Sequence, residues 1–176
     1  MSTDPRGPHA WDRLWAPHRK EYLADEAGNF DADSCPFCIA QGVSDSEGLV
    51  VVRRSATFVV MNKYPYNSGH LLVCTNRHVP LYDELTPEEV IQIGELTAQA
   101  MRTLRTVANA AGFNIGLNQG NVAGAGVADH IHQHIVPRWA GDINFMPIVG
   151  GTKVLPELIE QTRLLLSESW SDYYCG

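Results

Sequence analysis

The stretch His130-Ile131-His132-Gln133-His134-Ile135-Val136 decides how this 176-residue chain is read. Side chains on a strand alternate between faces, so the three imidazoles share one surface while Ile131, Gln133 and Ile135 project from the other. Three buried imidazoles without partners would each cost ~1–3 kcal/mol, which disfavours a plain core strand. Successive same-face positions are ~7 Å apart, too far for three rings on a straight strand to share one ion at bonds of ~2 Å. Separate roles for the three are therefore expected.

Working outward, Pro137 is expected to end this strand at Val136. Upstream, Phe113–Asn118 alternates as a strand and Gly120–Gly126 is a Gly- and Ala-rich loop. A long helix is expected from Thr86 to about Ala110: Thr86 caps it, Pro87 takes the first helical position and Glu89 completes a capping box. Val90, Ile93, Ala100, Leu104 and Val107 fall on one face, a stripe suited to packing on a sheet. Before it, Leu49–Val52, Thr57–Asn62 and His70–Asn76 read as an antiparallel meander, the last two joined by the turn Tyr64–Gly69. A C-terminal helix is expected over Pro156–Trp170, after the Gly150-Gly151 break. Residues 10–24 form a weaker helical pattern carrying Trp11, Trp15 and Tyr22, interrupted by Pro17. The order β-β-β-α-β-β-α predicts an α+β fold: a mainly antiparallel five-stranded sheet with a long helix packed on it and a C-terminal helix.

With 44% hydrophobic residues the chain can bury one core without disulfide staples. The formal net charge is -7, and the Lys and Arg residues are scattered, with only short pairs such as Arg53-Arg54. Extended nucleic acid and anionic membranes are thus unexpected partners. A small phosphate ligand remains compatible, because a few backbone NH groups and an imidazole set the local field. No run reaches the ~18 apolar residues of a membrane span, and Met1–Arg13 lacks a signal-peptide core, so a soluble cytoplasmic protein is expected. Cys35 and Cys38 form a C-x-x-C between polar segments at 25–34 and 41–48 that read as loops. They are expected on a loop or knuckle, while Cys74 and Cys175 look unpaired.

The run His130–Val136 resembles the His-φ-His-φ-His-φ-φ signature of the histidine triad (HIT) nucleotide-binding superfamily. Asn62–Val73 resembles that family's N-x-x-P-x-x-x-G-H strand-turn-strand, and Gly112–Asn118 with Ala123-Gly124 resembles its phosphate-side loop. Pro137-Arg138-Trp139 followed by Gly141–Pro147 is similar to a bacterial branch that includes diadenosine tetraphosphate phosphorylases. The resemblance covers about 50–170 and departs from the usual pattern at two positions. Gln133 stands where an apolar residue is usual, which points to a partly solvated or interface-facing back of the strand. Gly126 stands where many relatives place a phosphate-contacting Ser or Thr.

The resemblance implies His132 as nucleophile toward an α-phosphorus, His134 on the phosphate and leaving group, and His130 orienting His132. It implies phosphate contacts from Asn118, Gly124 and Gly126, and a ribose contact from Asn62. A strand-end Asn bonding its own turn is the plainer reading of Asn62. Cys35, Cys38, His78 and His130 supply the number and kind of ligands of a structural tetrahedral zinc site, a set some HIT proteins use. A redox pair would need a strand-to-helix junction in a βαβ unit, and an unmetallated pair is the third reading. The division expected is residues 1–48 as an N-terminal extension with the zinc knuckle and 49–176 as the HIT domain with its helical tail, in one structural unit. The family also implies a homodimer paired through the long helix and adjacent strand.

The activity implied is cleavage of dinucleoside polyphosphates, by phosphorolysis or hydrolysis, through a nucleotidyl-His132 intermediate. The alternatives are a nucleoside phosphoramidate hydrolase and a nucleotide-binding interaction protein without catalysis.

Overall fold

β1 (Val50–Arg53), β2 (Thr57–Met61) and β3 (Leu71–Thr75) form the expected antiparallel meander. A computed structural model of the chain describes residues 30–142 and 158–170. The helix expected over 10–24, the Gly150-Gly151 break, the start of the C-terminal helix before Leu158, and Cys175 lie outside the described residues. β2 and β3 are buried at every position, so they read as continuous apolar runs covered on both faces.

The long helix α2 (Pro87–Ala108) starts where its capping box places it. Thr86 Oγ1 accepts from the Glu89 N–H, and the Glu89 carboxylate accepts from the Thr86 N–H in return. It ends on Asn109 in the left-handed conformation. Its stripe is wider than the periodicity suggested: Ile93, Leu96, Ala100 and Leu104 are buried, joined by Gln99 and Thr103. The four apolar residues pack against Val59, Met61, Leu71, Val73 and Ile135 from one face of the sheet.

β4 (Gly112–Leu117) and β5 (His132–Arg138) complete an antiparallel sheet of order β1-β2-β3-β5-β4. β5 is thus an interior strand, between β3 and the edge strand β4. The expectation that Pro137 ends this strand is corrected, since β5 continues through Pro137, opposite Phe113, to Arg138. The Pro137 carbonyl points to the β3 side, where it accepts from Asn67 Nδ2. β3 pairing stops at Ile135, so the N–H that proline lacks has no ladder partner to lose. The C-terminal helix α3 (Ile159–Glu168) docks through fully buried Leu166, and Arg163 donates to the Val50 carbonyl.

A second correction concerns the cysteines: Cys35 follows a turn as expected, but Cys38 does not sit on a loop. A short helix α1 (Pro36–Gly42) begins right after Cys35, with Pro36 in its first turn, so Cys38 is helical. α1 covers the opposite face of the sheet: Cys35, Phe37 and Ala40 pack on Val50, Phe58, Val60, Leu72 and Cys74. The sheet is therefore a partition with α2 and α3 on one side and α1 on the other. His132 and His134 lie opposite Cys74 and Leu72 in the ladder, on the α1 side.

Candidate functional site

Of the three triad histidines, His130 lies just before β5, while His132 and His134 are on it. All described histidines of the site make ring contacts that fix which nitrogen carries hydrogen. His132 Nδ1 lies 2.8 Å from the carbonyl oxygen of His130. A carbonyl only accepts, so Nδ1 carries the hydrogen and Nε2 keeps a free lone pair. His132 is 6% exposed, and burial holds its basicity below that of ordinary histidine, so the ring is neutral at neutral pH.

His134 is set the opposite way by a residue the sequence reading gave no role, His70. This fully buried ring accepts at Nδ1 from the Tyr66 N–H at 3.0 Å, so its hydrogen is on Nε2. Nε2 lies 3.0 Å from His134 Nδ1 and donates to it. His134 then carries its own hydrogen on Nε2. With ring centroids 5.1 Å apart, His132 offers a lone pair and His134 a proton.

Asn62 uses one oxygen lone pair on the Tyr64 N–H and approaches His70 Nδ1 through Nδ2 at 3.2 Å. The turn-bonding reading of Asn62 is thus present, with one amide hydrogen and one lone pair not used among the described residues. Asn118 follows Leu117, the last β4 residue paired with β5, next to the strand that carries His132 and His134. The loop beyond contains a single 3-10 turn at Asn121–Ala123, bounded by Gly120 (φ 75°) and Gly124 (φ 80°) in the left-handed half of backbone space. Those glycines let the backbone fold back beside β5 without a Cβ penalty. Gly126 is half-buried at the same loop's end.

Cys35, Cys38, His78 and His130 come together with one ligand atom each, all within 4.8 Å of one another. Three of the sulfur–nitrogen separations are 3.4 Å (Cys35–His130), 3.3 Å (Cys38–His78) and 3.5 Å (Cys38–His130). A tetrahedral ion bonded to sulfur at ~2.3 Å and nitrogen at ~2.0 Å places those ligands ~3.5 Å apart. Both histidines face the cluster with Nδ1. His130 Nε2 donates to the Thr75 carbonyl at 2.8 Å and His78 Nε2 to the Phe30 carbonyl at 3.1 Å, leaving both Nδ1 lone pairs available. Burial lowers the His130 pKa to about 4, and burial beside Cys35 pushes the Cys38 thiol up to about 11. A bound cation offsets the cost of thiolate charge in this enclosed place. The donor set and its geometry fit a metal ion.

Gln133, on the α2 side, is half-buried and donates from Nε2 to Thr97 Oγ1 at 2.6 Å. Its polar group is satisfied inside the protein by the long helix.

The HIT domain family profile matches residues 44–141, more than half of the chain. The chain belongs to the HIT domain family. Across 164 residues this HIT protein is 44% identical to the AP-4-A phosphorylase of Mycobacterium tuberculosis, spanning 90% of this chain and 84% of that one. It is 37% identical over 90 residues to the asymmetrical bis(5'-nucleosyl)-tetraphosphatase of Schizosaccharomyces pombe, spanning 51% of this chain and 48% of that protein. Among solved structures, a Zn-bound histidine triad family protein from Mycobacterium smegmatis superposes with a TM-score of 0.64 at 26% identity. That match spans 80% of this chain and 95% of the other. The HIT fold is thus shared, in agreement with the α+β expectation.

Proposed function

We propose that this HIT protein is an enzyme that cleaves dinucleoside polyphosphates of the diadenosine tetraphosphate type through a nucleotidyl-His132 intermediate. The observation that carries the reading is the tautomer pair: a lone pair on His132 Nε2 beside a hydrogen on His134 Nε2. His132 Nε2 bonds to the α-phosphorus as the bridging P–O bond breaks, and His134 hydrogen-bonds the phosphate and gives its proton to the departing oxygen. Diadenosine tetraphosphate then yields ATP and an adenylyl-imidazole. Inorganic phosphate converts that intermediate to ADP, and water converts it to AMP. The high identity to a phosphorylase over most of both chains supports phosphorolysis.

Asn118, Gly124 and Gly126 would contact phosphate, mainly through backbone NH groups at the glycines, and Asn62 a ribose hydroxyl through its remaining amide hydrogen or lone pair. His130 orients the nucleophile through its carbonyl.

In the same reading the Cys35, Cys38, His78 and His130 cluster holds zinc, a structural ion that braces the approach to β5 and does not touch substrate. Residues 1–48 form the extension that carries the cysteines, and 49–176 the HIT domain. A cytoplasmic location suits two ligating thiols that must stay reduced. A homodimer paired along the edge strand β4 and α2 is supported by half-exposed Ile115 on that edge.

Incubating the protein with diadenosine tetraphosphate with and without phosphate tests the function. ADP plus ATP is expected with phosphate. AMP plus ATP in both conditions would instead indicate hydrolysis, and intact substrate would refute the activity.

A further inference from the structure

The turn that joins β2 to β3 carries an aromatic ring for which the reaction above has no use. Tyr66 lies over His134 with ring centroids 5.6 Å apart and planes within 20°, a stacked pair. It also meets His70 at 4.9 Å, and His70 meets His134 at 5.1 Å, so the three rings form a closed triangle. The turn is bolted to the strand that bears His134. Asn67 Nδ2 donates to the Pro137 carbonyl and, at 2.9 Å, to Asp142 Oδ2. Asp142 holds Arg138 at the end of β5 through both carboxylate oxygens. Gly69 (φ 71°) closes the turn against Leu104 and Pro137, where a Cβ would come within 3.0 Å of the Leu104 side chain.

The hydrogen bond from His70 to His134 Nδ1 fixes the tautomer and one edge of the imidazole. A flat ring stacked on its face adds a restraint on the plane of the ring, and so on the direction of Nε2–H. We propose that Tyr66 is a positioning residue for His134: its stacked ring, held by the Asn67–Asp142–Arg138 tie, aims the His134 Nε2–H at the leaving-group oxygen. This rests on the reading of His134 as proton donor.

The test compares two aryl esters of AMP, phenyl and 2,4-dinitrophenyl. In both, His132 Nε2 bonds to phosphorus as the P–O(aryl) bond breaks. The phenyl oxygen needs the proton from His134 as it leaves, whereas dinitrophenolate departs without one. The readout is the ratio of kcat/KM for the dinitrophenyl over the phenyl ester, which a general loss of folded protein does not change. In His134→Ala this ratio is expected to rise ~100-fold or more, the usual worth of a placed general acid. In Tyr66→Ala it is expected to rise about tenfold, with Tyr66→Phe within about twofold of the parent. Tyr66→Leu fills the space without a flat ring, so it covers the case in which Tyr66→Ala unsettles the turn, and it should match the Ala result. An unchanged ratio in both Tyr66→Ala and Tyr66→Leu, while His134→Ala raises it, would overturn the role of Tyr66 alone. An unchanged ratio in His134→Ala would overturn the proton-donor reading and this inference with it.

Discussion

The carbonyl oxygen of His130 accepts from His132 Nδ1 at 2.8 Å, while the His130 ring closes the Cys35, Cys38, His78 cluster through its own Nδ1. One residue thus joins the cluster to the ring proposed as nucleophile. Phe37, set between the two cysteines, reinforces the link: its ring lies 5.4 Å from His130 and 4.9 Å from His132. Disturbing the cluster should therefore be felt at His132, although no ligand atom of the cluster belongs to it.

Elemental analysis of the purified protein is expected to give about one zinc per chain, and Cys38→Ser should lose most of it. Because His132 is oriented through His130, kcat should fall at least about tenfold, with a smaller change in KM. Stoichiometric zinc retained in Cys38→Ser would show that the ligand set is wrong.

The His70 Nε2–H is expected to dictate the His134 tautomer. Long-range proton–nitrogen NMR correlations of the parent should show His134 Nδ1 without hydrogen. In His70→Leu that assignment should be lost and kcat should drop ~100-fold. His70→Gln can still donate through its amide and should recover part of the rate. Equal rates in the Leu and Gln variants would argue against a role for the donor.

Glu89 is 2% exposed, and its carboxylate serves both Thr86 and Arg77, the latter at 2.6 and 2.8 Å. The Arg77 guanidinium, helped by Thr86, holds its pKa at about 2, below the ordinary 4.5. The lowered folded-state value means this stabilisation is complete above pH 4.5 and is lost as pH falls from there toward 2. Glu89→Gln should flatten the pH dependence of the unfolding midpoint across that window. Glu89→Ala, which also loses the cap, should destabilise the protein by about 2 kcal/mol near neutral pH in urea unfolding.

Much of this architecture was legible because local signals decide it. Thr86-Pro87-Glu88-Glu89 sets the start of α2 through contacts three residues apart, and the alternation of His132 with His134 gives a shared face without tertiary information. Pro137 misled because a proline limits a strand only where a neighbour needs its N–H, and the end of β3 at that point is a property of the sheet order. The helix after Cys35 was hidden by its seven-residue length and polar flanks. His70 sat in a recognised motif, but its role depends on register: with Leu71 opposite Ile135 and Leu72 opposite His134, His70 falls diagonal to His134. The Asn67–Asp142 bond spans 75 residues and left no trace in spacing or periodicity.

The most direct measurement is rapid quenching of the protein with diadenosine tetraphosphate, followed by peptide mass spectrometry under conditions that spare phosphoramidates. The expected result is an adenylyl group on the peptide 130–136, located on His132 and absent from His132→Ala. An adduct on another residue, or turnover that persists in His132→Ala, would contradict the assignment of His132 as the nucleophile.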